Sequence, residues 1–168
     1  MTPPWLPARL AWLWRLDARS LLRALVVAEA GGEPMAVKCA VADVVVNRVL
    51  LAREKRVRWW GTTTHEVCLK PHQFSCFWAD YTKLRDTIAE AARGAASSAI
   101  ADADRAAARA LLRLAGSPDA DGDRSFGSDH YWAPHAVPRP QWADAYAFVC
   151  RIGRHDFHSS LIPAKENA

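Results

Sequence analysis

The chain has 168 residues, 51% of them hydrophobic, with 22 Lys and Arg against 18 Asp and Glu, 8 Trp and 4 Cys. A chain of this size buries roughly two thirds of the surface its unfolded form exposes, so one globular domain is expected without a disulfide scaffold or structural metal. Disorder, collagen and coiled coil are excluded. The formal charge of +4 is spread without any long block of like charges, so no nucleic-acid partner is indicated and a mildly basic surface equally suits another anionic polymer.

Residues 1–20 form an amphipathic N-terminal segment carrying Trp5, Trp12 and Trp14. Arg15, Asp17, Arg19 and Arg23 interrupt its apolar character, so no membrane span is expected. Arg15 also splits the short apolar run and no small-residue cleavage site follows, so the segment reads as packing on the domain rather than as a cleaved signal. A helix is predicted from Ser20, its expected N-cap, to Ala30, where Gly31-Gly32 ends it. Pro34 suits the first turn of a second helix running to about Leu51, with Val37, Val41, Val44, Val45 and Val49 on its buried side.

Periodicity fails from Arg53 to Asp80, which reads as a long functional loop. Helical patterning returns over Tyr81 to Ala92 and Ala101 to Ala115, and Gly116, Ser117 and Pro118 stop it. A second irregular region spans Asp119 to Pro140, and a last helix is predicted from Gln141 to about Arg151. The result is a mainly helical single domain of about five helices and two long loops, either of which could conceal a short hairpin. Cys39 falls on an apolar helix face, whereas Cys68 and Cys76 are close enough in sequence to pair in an oxidising space.

Glu29 stands out because apolar neighbours and the negative end of its helix both disfavour a charged carboxylate there. A carboxylic acid kept protonated is what a general acid needs, while a solvated helix-end Glu is the plainer reading. Glu33 precedes Pro34, where negative charge stabilises the second helix's N-terminus, so its role reads as structural support. Asp43 and Asn47 share a helix face, and Asn47 is the candidate to hold a carboxyl or a ligand, with an outward-facing Asn47-Arg48 pair as the alternative.

In the first loop, His65, Cys68, His72 and Cys76 lack the paired knuckles of a structural zinc site, so no metal is expected. Gln73 and Phe74 instead offer an amide and a flat apolar surface to a ligand. In the second loop, Asp119, Asp121 and Asp123 begin like a calcium loop, but His130 stands where the closing Glu would fall. The run of His130, Tyr131, Trp132, His135 and Trp142 among prolines suits the wall of a binding cleft. No G-x-S-x-G elbow is present for a serine hydrolase, and Cys76 paired with His130 or His135 remains open as a nucleophile.

Five blocks in order, AEAGGEP (Ala28–Pro34), VADVVVNRV (Val41–Val49), HQFSCFW (His72–Trp78), DHYWAPHAVPRPQWA (Asp129–Ala143) and RIGRHDFH (Arg151–His158), resemble the SleB-type cell wall hydrolase family, the spore-cortex-lytic enzymes. The resemblance implies a lysozyme-like fold over residues 21–158, followed by a tail at 159–168. It also implies cleavage of peptidoglycan between N-acetylmuramic acid and N-acetylglucosamine by a lytic transglycosylase without a cofactor. The family's catalytic Glu maps onto Glu29 and its second Glu onto Glu33, with Asn47-Arg48, Gln73-Phe74 and His130-Tyr131 at matching positions. Gly31 stands where the family has Arg.

A water-using muramidase with Glu33 or Asp129 as second carboxylate, a non-catalytic wall-binding module and a metal-dependent peptidase are the competing expectations. A monomer acting on the wall, in the periplasm or outside the cell, is expected. Without a clear signal, its release from the cytoplasm through a phage-type holin fits.

Overall fold

A computed structural model describes residues 2–54, 59–78 and 82–163. The helices are α1 (Ala18–Ala30), α2 (Met35–Arg53), α3 (Thr64–Leu69), α4 (Ser75–Trp78), α5 (Thr82–Arg93), α6 (Ser98–Leu114) and α7 (Trp142–Ala145). The strands are β1 (His130–Trp132), β2 (Tyr146–Ile152) and β3 (His155–Pro163), ordered β1-β3-β2 and antiparallel throughout. The mainly helical expectation holds, in an arrangement consistent with a lysozyme-like domain.

Helix α2 runs through the middle. Its valines are buried as expected, but so are Lys38, Asp43, Asn47 and Arg48, so the helix is enclosed on every side instead of presenting one apolar stripe. The alanines of α6, including Ala103, Ala106, Ala107 and Ala110, are buried where α6 packs on α1 and α2, because small side chains let helices approach closely. Ahead of α1, two 3₁₀ turns (Ala8–Leu10 and Leu13–Arg15) bury Leu10 and Leu13 in the same core, so the N-terminal segment packs on the domain.

Four sequence-based expectations change. Helix α1 starts at Ala18 with Asp17 as N-cap, its carboxylate accepting from the Ser20 amide at 2.9 Å, so Ser20 lies inside the first turn. The first loop is partly helical. In α3, a reciprocal capping box joins Thr63 to Glu66, and residues 55–58 and 79–81, where irregular chain and the start of α5 were predicted, lie outside the described residues. The predicted final helix stops at Ala145, and Tyr146 onward is strand. Residues 159–163 continue β3, while 164–168 lie outside the described residues.

The hairpin of β2 and β3 turns through Gly153-Arg154, with Gly153 at φ +57°, as two-residue hairpin loops with glycine first require. A Cβ on Gly153 would lie 2.7 Å from Val37 Cγ2, so the hairpin is seated directly on α2. Gly153→Ala is expected to cost about 2 kcal/mol, from left-handed backbone strain plus that clash, and urea denaturation measures it.

Candidate functional site

A cleft of about 570 Å³ opens where the end of α1, the 72–76 segment, β1 and the 133–140 loop meet. Glu29 lies in its wall, put there by the last turn of α1 before Gly31 caps the helix through its N–H to Val27 O. Glu29 Oε2 accepts from the Tyr131 hydroxyl at 3.1 Å, while Oε1 is shielded from water and has no hydrogen-bond partner. Among the described residues lining the cleft, Glu29 is the one carboxylate.

Two groups close to Glu29, Tyr131 and Cys76, are held neutral. Burial, reinforced by the nearby Glu29, raises the Tyr131 phenol well above its ordinary value. Burial raises the Cys76 thiol in the same way, with Glu29 again adding to the effect. Of the histidines considered as its partner, His130 is turned to Asp129, with Nδ1 2.8 Å from that carboxylate, and His135 is exposed. Arg48 lies deeper, donating to Asp129 O at 2.7 Å and to Gln73 Oε1 at 3.1 Å, with its guanidinium over the Trp60 and Phe74 rings. Burial pulls its pKa down to about 10, which leaves it cationic at neutral pH. With its Oε1 engaged, Gln73 keeps its amide N–H groups for the cleft.

The expected site residues divide. Glu29, Gln73, Phe74, Tyr131 and Trp132 line the cleft together. His130 sits behind it, packed against Trp60, Trp142 and Tyr146, with Nδ1 2.8 Å from Asp129. His135 is exposed on the loop beyond, its ring 6.3 Å from that of His155. Asn47 faces neither cleft nor solvent. Its amide donates to Asp123, Ser125 and Ser128 O at 2.8–2.9 Å, pinning the second loop to α2.

Glu33 is engaged by a partner not foreseen. Proline N-caps α2 with no side-chain bond, and Glu33 instead takes both Arg154 nitrogens, which hold its carboxyl below the usual value. Asp129 is fully buried. Burial works to raise its pKa, but donors from His130 and Ser160 outweigh it and keep the carboxyl low. Arg48, Cys76 and His155 also line the cleft and were not predicted to. Their signals were the Asn47-Arg48 pair, the cysteine beside Gln73-Phe74 and the alternation of His155 with Phe157.

Of the other sequence candidates, His65 binds Leu16 O at 2.8 Å and Cys68 is core. All four thiols are free. Among the described residues, no group of three His, Cys, Asp or Glu side chains could hold a metal, and no helix is long and apolar enough to cross a membrane.

Burial holds His130 and His155 below the ordinary histidine value of 6.5. Asp129, Arg48 and His158 act on His130, while Glu33, His135, Arg154 and Asp156 act on His155. The unfolded chain protonates these rings near 6.5 and the native chain only at lower pH, so unfolding takes up protons in that interval. Stability is therefore expected to fall as pH drops from neutral through 6.5. Urea midpoints across this range check it, and a His155→Gln chain shows a shallower slope.

A family model described as Cell Wall Hydrolase matches residues 32–158, beginning just after Glu29 and taking in every other cleft residue except Ala28. No curated protein and no solved structure matches the chain.

Proposed function

The chain belongs to the cell wall hydrolase family, and from that premise we propose that it cuts peptidoglycan between N-acetylmuramic acid and N-acetylglucosamine as a lytic transglycosylase. Glu29 is its one acid–base group. The observation that carries this reading is that Glu29 is the one carboxylate among the described residues lining the cleft. Glu33 is tied to Arg154, and Asp129 is buried against His130 and Ser160, so neither is free to activate water or attack the sugar. Among the described residues lining the cleft, the usual two-carboxylate glycosidase geometries have no second member.

With one carboxyl, both proton transfers pass through it. Protonated Glu29 gives its proton to the glycosidic oxygen as the C1–O bond breaks and positive charge develops at C1 of the muramic acid. The C6 hydroxyl of that same sugar then bonds to C1 and loses its proton to the Glu29 carboxylate. The products are a 1,6-anhydro end and a free hydroxyl on the departing sugar, with Glu29 protonated again.

Tyr131 donates to Oε2, and that hydrogen bond stabilises the carboxylate between the two steps. Phe74, Trp132 and Trp142 give the sugars flat apolar surface, and Gln73 donates to their oxygens. Mass spectrometry of digested sacculi tests this. Anhydro muropeptides, lighter by one water than reducing ones, are expected, with no heavy oxygen incorporated from labelled water. Reducing, labelled ends would establish a water-using muramidase, and no released fragments would establish a binding module.

A further inference from the structure

The cleft holds a buried polar side chain that this chemistry leaves unused. His155 opens β3 and is only 4% exposed, yet it lines the cleft. Strand alternation explains its position. Tyr131 pairs with Phe157 across β1 and β3, so His155, two residues before Phe157, shares the sheet face that carries Tyr131 to Glu29. The His155 ring lies 5.9 Å from Tyr131 and 6.5 Å from Phe157.

The two ring nitrogens are in different situations. Nδ1 is cut off from water and has no hydrogen-bond partner. Buried N–H groups are almost always paired, so the unpartnered Nδ1 is best read as the bare nitrogen, with the proton on Nε2. Among the described residues, neither nearby carboxylate is hydrogen-bonded to the ring, and Glu33 pairs with Arg154 and Asp156 with Arg151. A neutral imidazole that lines the cleft with Nδ1 shielded has Nε2–H left as a single donor for an uncharged acceptor. The turn that precedes His155 is seated on Val37 at Gly153 and tied to Glu33 through Arg154.

We propose that His155 is a substrate-binding residue whose Nε2–H donates to an oxygen of the N-acetylated sugar in the cleft. This rests on the glycan reading of the site. It adds a recognition contact that the proton transfers do not need, so its loss is expressed in binding and not in the chemical step.

The test uses the full chain carrying Glu29→Gln, so that ligand is bound and not cut, titrated with a tetrasaccharide of alternating N-acetylglucosamine and N-acetylmuramic acid. His155→Phe is expected to weaken binding about tenfold, as for one lost hydrogen bond. His155→Gln, which can place an amide N–H near Nε2, recovers most of it. With Glu29 intact, the Phe variant raises KM on sacculi while kcat changes little. Nitrogen-15 spectra of the protein before substitution show the Nε2–H tautomer and a shift of that nitrogen on adding the tetrasaccharide, a readout that does not depend on either variant folding.

Equal binding by His, Gln and Phe chains of matched thermal stability, or an Nε2 signal indifferent to the sugar, overturns the proposal. Absence of anhydro products removes the transglycosylase reading alone, since the titration is scored without turnover.

Discussion

Glu29→Gln is expected to slow the lysis of purified sacculi by about a thousandfold or more while the chain remains folded. General acid or base catalysis contributes about 10²–10⁴ in rate, and in the proposed mechanism one carboxyl performs both, so the amide removes donor and acceptor together. The substitution is nearly isosteric. Its oxygen still accepts from Tyr131, and the position Oε1 vacates makes no hydrogen bond to lose. Turbidity loss of sacculi measures the rate and circular dichroism confirms the fold. The informative contrast is Glu33→Gln, which breaks the pairing with Arg154 and lowers stability, but leaves Glu29, Tyr131 and the anhydro product in place. A chain that needed two carboxylates would lose its product in both variants.

How far the sequence disclosed this site depends on whether each element announces its own geometry. The position of Glu29 was legible because an apolar helix that stops at Gly31-Gly32 can be read from a linear sequence, and the last turn of that helix places Glu29 in the cleft wall. Adjacent residues 130 and 131 were both assigned to the cleft. In a strand they point to opposite faces, and only the pairing of β1 with β3 reveals that this stretch is a strand.

The same pairing decides residues 146–152. Their alanine neighbours suggest helix, but Tyr146, Phe148, Val149 and Ile152 favour a pleated surface once β3 is beside them. His155 was overlooked for this reason, since its face is set by a hairpin whose turn begins at Gly153. Asn47 was misplaced for a different one. A helix enclosed on every side has no outward face, and its polar residues must answer to whichever loop covers them.

That enclosure makes Asp43 the residue whose loss is expected to cost most stability. It is fully buried on α2, where one oxygen accepts from Arg113 Nε at 3.2 Å and the other from Arg109 and from the Arg124 amide at 2.8 Å. Burial pushes its carboxyl above the usual value, and those donors oppose the shift. Arg113 also reaches Asn47 Oδ1 at 2.7 Å, so Asp43, Arg113 and Asn47 form a connected support under the 123–128 segment.

Asp43→Ala would strand two largely buried guanidinium groups, and removing one partner of such a network costs about 3–5 kcal/mol. Urea denaturation is expected to show that loss. Hydrogen exchange at the Ser125 and Gly127 amides, both bonded to Asp123, should accelerate, because Asp123 is anchored through Asn47. Since that segment leads directly into β1 and Tyr131, a loosened support would also misplace the hydroxyl on Glu29. Lysis should therefore fall by more than the unfolded fraction accounts for. A drop that merely tracks unfolding would mean that β3 alone holds Tyr131 in register.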